Sequence, residues 1–525
     1  MSSIKIIPQP SSITETGSQF VITKDFSISY SGDSADKAAT LLQKYLRPAT
    51  GFEFPITEGE SGNIVIKTTS APVYDEANFT NEAYSLSTND GKIVIEAQNY
   101  VGAIRAIQTL RQILPPEIYS PSQQNVEWIV PGVVINDAPS YRWRGLHFDT
   151  VRHFFTIDEV KRFIELAAQH KFNMFHWHIT DDQGWRIEIK KYPRLTEFGA
   201  WREKTIIGHE HRDRPRKYDN IPHGGFYTQE QIREVVAFAA ERAITVMPEI
   251  DMPGHMSAAI ACYPELGNGF NQNLKVRCHW HIAQEILNME ESTVQFCKDV
   301  WTELFDLFPS KFFHIGGDEA PRYEWFESDR IQELMAERGL KTEEELQAWF
   351  TRQINAHFRA NGRRLIGWDE ILEGGLEKTS AVMSWRGWRG AEDLLAATRA
   401  GHDVVVSNSN HFYFDYYQVP EGETYKEPLA IGGYTTLDRV YSFDIAHPDL
   451  SEEDLAHVLG GQGQVWTEYI GTFSLVEYMT YPRACALSEV LWTNKEQKNY
   501  EDFLNRLSGH IKRLDAQGVN AFKKA

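Results

Sequence analysis

The feature that most constrains this chain is a series of short apolar runs that begins at Tyr141 and alternates with longer stretches of helical periodicity. The runs are RGLHFDT, FNMFHWHIT, ITVMPEI, FFHIGGDE, RLIGWDE, AVMSWRG, DVVVSNS and GGQGQVWTE. Short buried strands that alternate with helices are typical of parallel sheets built from βα units. Eight such units predict an α/β fold whose larger domain is a (β/α)₈ TIM barrel.

The starts of four helical stretches support this alternation. Each start has Thr or Ser followed three residues later by Glu or Gln, which is the pattern of a capping box. The four pairs are Thr156 with Glu159, Thr228 with Gln231, Ser292 with Gln295, and Thr342 with Glu345. The last run, EDFLNRLSGHIKRLDAQG, predicts an amphipathic helix packed on the barrel.

The N-terminal part of the chain has a different rhythm. Residues 1–137 mix short β-type runs, such as FVITKDFSISY and NIVIKTT, with two amphipathic helical runs. This mixture predicts a small α/β domain. The Pro- and Ser-containing segment PPEIYSPSQQNVEWIVPG leads out of it. We therefore expect a domain at 1–137 and a catalytic barrel with its C-terminal helix at 138–525.

The charge balance limits the possible ligands. The 53 Lys and Arg against 73 Asp and Glu give a formal net charge of −20. Such a chain repels nucleic acid and anionic membrane surfaces. No apolar window approaches the roughly 18 residues of a membrane span, so a soluble protein is expected. The predicted ligand is neutral or cationic.

Cysteines and the N-terminus bear on the cellular compartment. The four cysteines have no CxxC spacing and are too few for a disulfide scaffold. Cys262 and Cys278 could pair, but buried free thiols are favoured. MSSIKIIPQPSS lacks the pattern of a secretory signal. Because a mature chain begins after its signal, we still expect a secreted, periplasmic or cell-surface protein whose signal has been removed.

Polar and aromatic residues recur where the predicted strands end, and the carboxyl ends of barrel strands carry the reactive groups of this fold. Carboxylates accept hydrogen bonds from hydroxyl groups, and indole faces stack on sugar rings, so a neutral carbohydrate is the predicted ligand. Arg144, at the start of the first strand, is expected to donate to sugar oxygens. The residues at the strand ends are Asp149, Asp181, Asp182, Asp251, His255, Asp318, Glu319, Trp368, Trp385, Tyr413, Asp415, Trp466 and Glu468.

Asp318 and Glu319 supply the two carboxyl groups that glycosidic cleavage requires. On a regular strand they would face opposite ways, but Gly316 and Gly317 allow the strand to become loop there. Repulsion between neighbouring carboxyls raises the pKa of one of them and keeps a proton for acid catalysis. The adjacency suits a reaction in which the substrate's own 2-acetamido carbonyl is the nucleophile.

Two other interpretations are weighed against this one. His176 and His178 form an HxH pair like that of metal-dependent hydrolase barrels, but the later runs IGWDE and VMSWRG offer no further Lys or His ligands. These two histidines are therefore interpreted as structural. A sugar-binding barrel without activity is disfavoured by the intact pair of carboxyls. GHEHRDRPRK is expected to be a solvated loop.

Several motifs together make the sequence similar to a known family. YRWRGLHFDTVRHFF, FNMFHWHITDDQGWRIEIKKYPRLTEFGAWR, MPEIDMPGHM, FFHIGGDEA, IGWDEIL, GQVWTEYI and PRACALSEVLW resemble family 20 glycoside hydrolases. The resemblance implies an exo-acting, retaining β-N-acetylhexosaminidase that uses no metal or organic cofactor. It removes terminal β-linked N-acetylglucosamine or N-acetylgalactosamine. Release of a disaccharide, as in lacto-N-biosidases, stays open as a variant.

The resemblance also implies residue roles. Glu319 would be the general acid and then the general base, and Asp318 would orient the acetamido group and stabilise an oxazolinium intermediate. His255 would contact Glu319, and Asp181, with Asp182 as the alternative, would fix the imidazole. Tyr413, with Tyr416 and Tyr417 as alternatives, would donate to the attacking oxygen. The expected pocket walls are Trp368, Trp385 and Trp466, and the expected hydroxyl ligands are Arg144, Asp415 and Glu468.

Overall fold

The computed structural model of the protein describes residues 4–75, 79–420, 422 and 425–523. Its N-terminal part is a seven-stranded mixed sheet in the order β1-β7-β5-β6-β4-β2-β3. Helices α1 (Ala35–Thr50) and α2 (Tyr100–Ile113) pack on this sheet. The strands are β1 (Ser12–Val21), β2 (Ile28–Ser31), β3 (Ile56–Glu58), β4 (Ile64–Thr68), β5 (Tyr84–Asn89), β6 (Lys92–Ala97) and β7 (Ile129–Asp137).

The β5–β6 hairpin shows how the sequence sets local structure. Asn89 pairs with Lys92, which leaves Asp90 and Gly91 as a two-residue turn. Both have positive φ, 49° and 76°, as the tight turn that suits twisted strands requires. The N-terminal sheet ends at Asp137, where the sequence predicts the domain boundary.

The second part is a closed barrel of eight parallel strands, which confirms the predicted fold. All eight predicted apolar runs contribute a strand. The strands are β8 (Trp143–Asp149), β9 (Met174–His178), β10 (Thr245–Glu249), β11 (Phe312–His314), β12 (Arg364–Trp368), β13 (Ala381–Ser384), β14 (Val404–Val406) and β15 (Val458–Gly463).

Helices of varied length surround the barrel, but β12 is followed only by a 3₁₀ turn, Asp369–Leu372. The terminal run forms an amphipathic helix, as expected. The helices of eight residues or more are α3 (Ile157–Gln169), α4 (Gln229–Ala240), α5 (Glu291–Leu307), α6 (Asp329–Glu337), α7 (Glu343–Ala360), α8 (Glu392–Arg399), α9 (Phe473–Thr480), α10 (Arg483–Trp492) and α11 (Tyr500–Ala516).

Three of the four predicted caps are observed. Thr156 and Thr228 form complete capping boxes, and Thr342 accepts from the backbone of Glu345. The prediction at Ser292 is wrong, because α5 begins at Glu291 and Glu290 occupies the cap position. The helix therefore starts two residues earlier than a cap at Ser292 would place it.

The amino-terminal end of the barrel is joined to the first domain by buried ion pairs. Glu82 accepts from Arg144 Nη2 at 2.5 Å and from Arg105 Nε at 2.6 Å. Arg144 also donates to the carbonyl oxygens of Lys171 and Tyr141. The prediction that Arg144 binds sugar is therefore wrong, because β8 starts at the barrel end that faces away from the strand carboxyl ends and its guanidinium is already fully paired.

Two further predictions concern cysteines and membrane spans. All four cysteines are free, so Cys262 and Cys278 do not pair. Among the described residues, no helix combines the length and the apolar character that crossing a bilayer requires.

Candidate active site

A cavity opens at the carboxyl end of the barrel, where the sequence predicts the reactive groups. Its volume of about 360 Å³ lies at the lower end of the range of ligand pockets. Asp181, His255, Asp318, Glu319, Trp385, Tyr413, Asp415, Trp466 and Glu468 all line it. Nine of the eleven predicted site residues therefore meet in one place. The other two are Arg144, discussed above, and Trp368.

The turn after β11 brings Asp318 and Glu319 into the same cavity. Gly316 and Gly317 have φ of 67° and 95°, and a Cβ on Gly316 would lie 1.8 Å from Asp251 Oδ1. Glycine is therefore required where the strand turns to loop. Glu319 itself has φ of 47°, which is strained for a residue with a side chain. The glycine-permitted turn expected from the sequence is thus the device that aims both carboxyls.

Asp318 shares a buried carboxyl pair with Asp251. Burial, and then the neighbouring carboxylate, raise the pKa of Asp318 well above its usual value, and the pKa of Asp251 is likewise raised by burial. Asp251 Oδ1 accepts from Gly317 N at 3.1 Å. Two carboxyls this close oppose each other's ionisation, so the pair holds a proton more readily than a lone carboxyl does. Asp318 lines the cavity, and its Oδ1 is buried without a hydrogen-bond partner.

His255 connects Asp181 with Glu319. Its Nδ1 lies 3.2 Å from Asp181 Oδ1, and its Nε2 lies 3.6 Å from Glu319 Oε2. Burial disfavours the imidazolium, but Asp181 and Asp251 outweigh that effect and raise the pKa of His255 well above its usual value. Asp182 is 3.4 Å from the same Nδ1, yet it also accepts from the backbone of Ser257 and Ala283. The geometry favours Asp181 as the partner of His255.

Aromatic side chains form one wall of the cavity. The rings of Tyr413 and Trp385 are stacked, with centroids 6.0 Å apart. The ring of Trp466 lies 6.4 Å from that of Tyr413, whose phenolic hydroxyl can donate its proton to a ligand. Tyr416 also reaches the cavity, whereas Tyr417 packs on Tyr434. Trp368 is 1% exposed and lies behind Trp385 and Trp466, so it supports this wall from below.

Opposite this aromatic wall, acidic side chains surround Arg152, a cavity residue that the sequence analysis did not predict. Arg152 donates to Asp181 at 2.8 Å and to Asp149 at 3.1 Å, and it lies 3.9 Å from Glu468. Burial, and then Glu468, raise the pKa of Asp415 well above its usual value. Among the described residues, Asp318 Oδ1, Asp415 Oδ1 and Glu468 Oε2 are buried without a hydrogen-bond partner. Unpaired buried acceptors of this kind fit a ligand rich in hydroxyl and amide donors.

The loop that contains GHEHRDRPRK is exposed over residues 211–215, as its composition predicts, but it also reaches the cavity, which was not predicted. His211 lines the cavity, and His209 stacks on Tyr469 with centroids 5.2 Å apart. Glu210 is buried and pairs with Arg216. The loop therefore folds back over the cavity rim. Trp280 and Trp388 also stand at the rim, and no sequence signal distinguished them from other surface aromatics.

The HxH histidines lie beneath the cavity and do not face it. His176 Nε2 and His178 Nδ1 contact Glu249 Oε2 at 3.0 and 2.6 Å. Groups of three such side chains are close enough to hold an ion. The contact between His178 and Glu249 is a direct hydrogen bond that needs no ion between its partners. The absence of a metal or cofactor stays a prediction.

Comparisons with known proteins agree with this geometry. The family model for the glycosyl hydrolase family 20 catalytic domain matches residues 141–495, and the model for domain 2 of the same family matches residues 3–138. A β-hexosaminidase of Porphyromonas gingivalis is 40% identical over 98% of this chain and 64% of its own length. A β-hexosaminidase of Vibrio furnissii is 36% identical over 93% of this chain and 76% of its own length.

Solved structures give the same result. An exo-β-N-acetylglucosaminidase of Vibrio harveyi, in complex with N-acetylglucosamine, superposes with a TM-score of 0.84 at 33% identity. The match covers 99% of this chain and 79% of that one. A β-N-acetylhexosaminidase of Streptomyces coelicolor has a TM-score of 0.83 at 28% identity, over 100% of this chain and 98% of that one.

The fold and the cavity define a barrel glycoside hydrolase. More particularly, the chain belongs to glycoside hydrolase family 20. It spans about two thirds of the length of the Porphyromonas relative.

Proposed function

We propose that this family 20 enzyme is an exo-acting, retaining β-N-acetylhexosaminidase in which the substrate's acetamido oxygen is the nucleophile. The observation that carries the proposal is Asp318, a buried carboxyl that lines the cavity with one oxygen unpartnered. Such an oxygen can accept an amide N–H and can stabilise a positive charge that develops on that amide. No side chain needs to attack the anomeric carbon.

Binding is assigned to groups at both sides of the cavity. The unpartnered oxygens of Asp415 and Glu468 accept from ring hydroxyls, and Arg152 orients Glu468. The faces of Trp385 and Trp466 contact the apolar side of the sugar. Trp368 supports the wall that they form. Tyr413 donates its phenolic proton to the acetamido oxygen.

The reaction then has two steps. The acetamido oxygen attacks the anomeric carbon while Glu319 protonates the departing glycosidic oxygen, which gives an oxazolinium ion held by Asp318. A water molecule then attacks the same face that the leaving group occupied, and Glu319 takes its proton. The ring opens to the free acetamido sugar. Two inversions at the anomeric carbon give overall retention.

Product analysis tests the proposal. With an aryl β-N-acetylglucosaminide and with a glycan that carries a terminal N-acetylhexosamine, we expect release of one monosaccharide as the β-anomer. Proton NMR during the first minutes distinguishes this from other outcomes. An α-anomer would contradict retention, a disaccharide product would support the lacto-N-biosidase variant, and binding without turnover would indicate a barrel without activity.

A further inference from the structure

A buried cluster of ionisable side chains fills the barrel interior below the cavity, and the proposed reaction does not use it. The members of this interior cluster are His147, His176, His178, Glu249 and His314, all of them fully buried. Below them lies an apolar layer that includes Trp143, Met174 and Phe312. The interior cluster therefore stands between the apolar floor of the barrel and the catalytic carboxyls.

His178 connects this cluster to the catalytic groups. Its Nδ1 lies 2.6 Å from Glu249 Oε2, and its Nε2 lies 2.9 Å from Asp181 Oδ2. Both ring nitrogens therefore face a carboxylate oxygen. A neutral imidazole carries one N–H and can satisfy only one of these acceptors, whereas an imidazolium can satisfy both.

The two carboxyls have other donors, which identifies both as carboxylates. Glu249 also accepts from Trp368 Nε1 at 2.9 Å and contacts His176 Nε2 at 3.0 Å. Asp181 also accepts from Arg152 Nη2 at 2.8 Å. Several donors on one carboxyl group favour its ionised form. The shared partner of these two anions must then carry the second proton.

The charges that face His178 from its neighbours agree with this state. Glu249 on β10, Asp181 after β9 and Asp149 on β8 are all acidic. The ring of His147 lies 5.7 Å away, and the indole of Trp466 lies 4.9 Å away. Burial opposes the charged form, but Glu249 and then Asp181 outweigh it and raise the pKa of His178 to about 10.

We propose that His178 is a permanent imidazolium that extends the Asp181–His255 relay to Glu249 and acts as the positioning residue of that relay. Asp181 Oδ2 is held by His178 and Arg152, while Oδ1 accepts from the backbone of Asp182 at 2.6 Å and faces His255. The carboxylate therefore cannot turn away from His255. The chain of contacts runs from Glu249 through His178, Asp181 and His255 to Glu319. This inference rests on the proposed role of Glu319.

Two substitutions separate the two contacts of His178. A glutamine side chain can place its N–H₂ near the position of Nε2 and keep the donation to Asp181, whereas asparagine can place it near Nδ1 and keep the donation to Glu249. His176→Gln is the matched control, because it changes another buried ring on Glu249 and keeps a donor near Nε2 without touching Asp181.

We expect His178→Asn to lower kcat/KM about 100-fold and His178→Gln about 10-fold, the range found when a group that orients a reacting residue is lost. The loss should be larger for substrates with poor leaving groups, because His178 acts through the general acid. The alkaline limb of the pH profile should move to higher pH, because a positive charge near Glu319 has been removed. His176→Gln should stay within threefold of the parent with an unshifted limb.

Three results would overturn the proposal. One is equal losses in His178→Asn and His178→Gln that do not depend on the leaving group, which would indicate a structural role only. Another is an equal loss in His176→Gln. The third comes from the unmodified enzyme and does not depend on how the variants fold: ¹⁵N NMR at pH 8 should show both ring nitrogens of His178 protonated, and a neutral ring would contradict the proposal.

The same substrate series separates this inference from the proposed function. If Glu319→Gln keeps its activity on poor leaving groups, the proposed function itself fails. If Glu319→Gln is inactive while His178→Asn is normal, only the extension of the relay fails.

Discussion

Buried acidic groups are paired with arginines at one end of the barrel and have unpartnered oxygens at the other. At the amino-terminal end, Glu82 is paired with both Arg105 and Arg144. Burial alone would raise the pKa of Glu82, but the two arginines outweigh burial and lower it to about 2. At the carboxyl end, Asp318 and Asp415 have raised pKa values and unpartnered oxygens. The first arrangement stabilises the joint between the domains. The second leaves free acceptor oxygens to which a ligand can donate hydrogen bonds, and a repulsion between carboxyls that such donation reduces.

The largest expected effect lies at the carboxyl end. Glu319→Gln removes the proton donor, and we expect kcat/KM for a poor leaving group to fall about 10³-fold. Activated aryl glycosides should lose much less, because their leaving oxygen needs little protonation. Steady-state kinetics over a series of aryl leaving groups measures this. An equal loss across the series would contradict the role of Glu319 as the acid.

Asp318→Asn should lower kcat for N-acetylated substrates about 10²- to 10³-fold. The neutral side chain can still orient an amide but cannot stabilise the charge of an oxazolinium ion. The measurement is single-turnover kinetics with an aryl N-acetylglucosaminide, and a thermal unfolding curve serves as the control for folding. Near-normal turnover would remove Asp318 from the mechanism.

At the amino-terminal end the expected effect is on stability instead. Glu82→Gln leaves two buried guanidinium groups without their anion, so the free energy of unfolding should fall by about 3 kcal/mol. In the fraction that remains folded, kcat should be unchanged. Urea unfolding with parallel activity assays checks both statements. A loss of kcat without a loss of stability would break the contrast between the two ends.

Asp415→Asn should have the opposite sign on stability. It removes a buried negative charge beside Glu468, so we expect a gain of about 1 kcal/mol in the free energy of unfolding. The kcat/KM should fall at the same time, because an acceptor for a sugar hydroxyl has been changed. A destabilised Asp415→Asn would show that this carboxylate is paired as well as Glu82 is.

The last expected effect concerns the pH dependence of stability and lies outside the active site. Burial lowers the pKa of His170 to about 4, below its usual value near 6.5. The unfolded chain therefore binds this proton at a higher pH than the folded chain does, so stability is lost as pH falls from about 6.5 to 4. His170→Gln should reduce the slope of unfolding free energy against pH by up to about 1.4 kcal/mol per pH unit. An unchanged slope would show that His170 does not titrate as expected.

Local patterns in the sequence predicted the barrel well. Each strand needs only a short apolar run, and the helix starts at Thr156 and Thr228 carry their own capping signals. The turn at Gly316 was predictable for the same reason, because the glycines and the two acids are contiguous. In these places the structure depends on residues that are close together in the sequence, and the prediction was correct.

Contacts between distant segments were not readable in this way. Arg144 and Arg152 flank the same strand, and the wrong one was assigned to the cavity. Arg144 forms an ion pair with Glu82, which lies in the other domain and therefore far away in the sequence. The rule that reactive groups stand at strand carboxyl ends would have favoured Arg152, which follows Asp149. The inward fold of the loop at His211 likewise depends on contacts with Tyr469, far along the chain.

The dependence of rate on the 2-acetamido group tests the central claim most directly. The ratio of kcat/KM for an aryl β-N-acetylglucosaminide to that for the matching aryl β-glucoside should be measured at one pH with the same leaving group. Asp318 and Tyr413 both line the cavity, and their proposed role of holding the nucleophilic amide predicts a ratio above about 10³. A glucoside that is cleaved as fast as the N-acetylated sugar would contradict it.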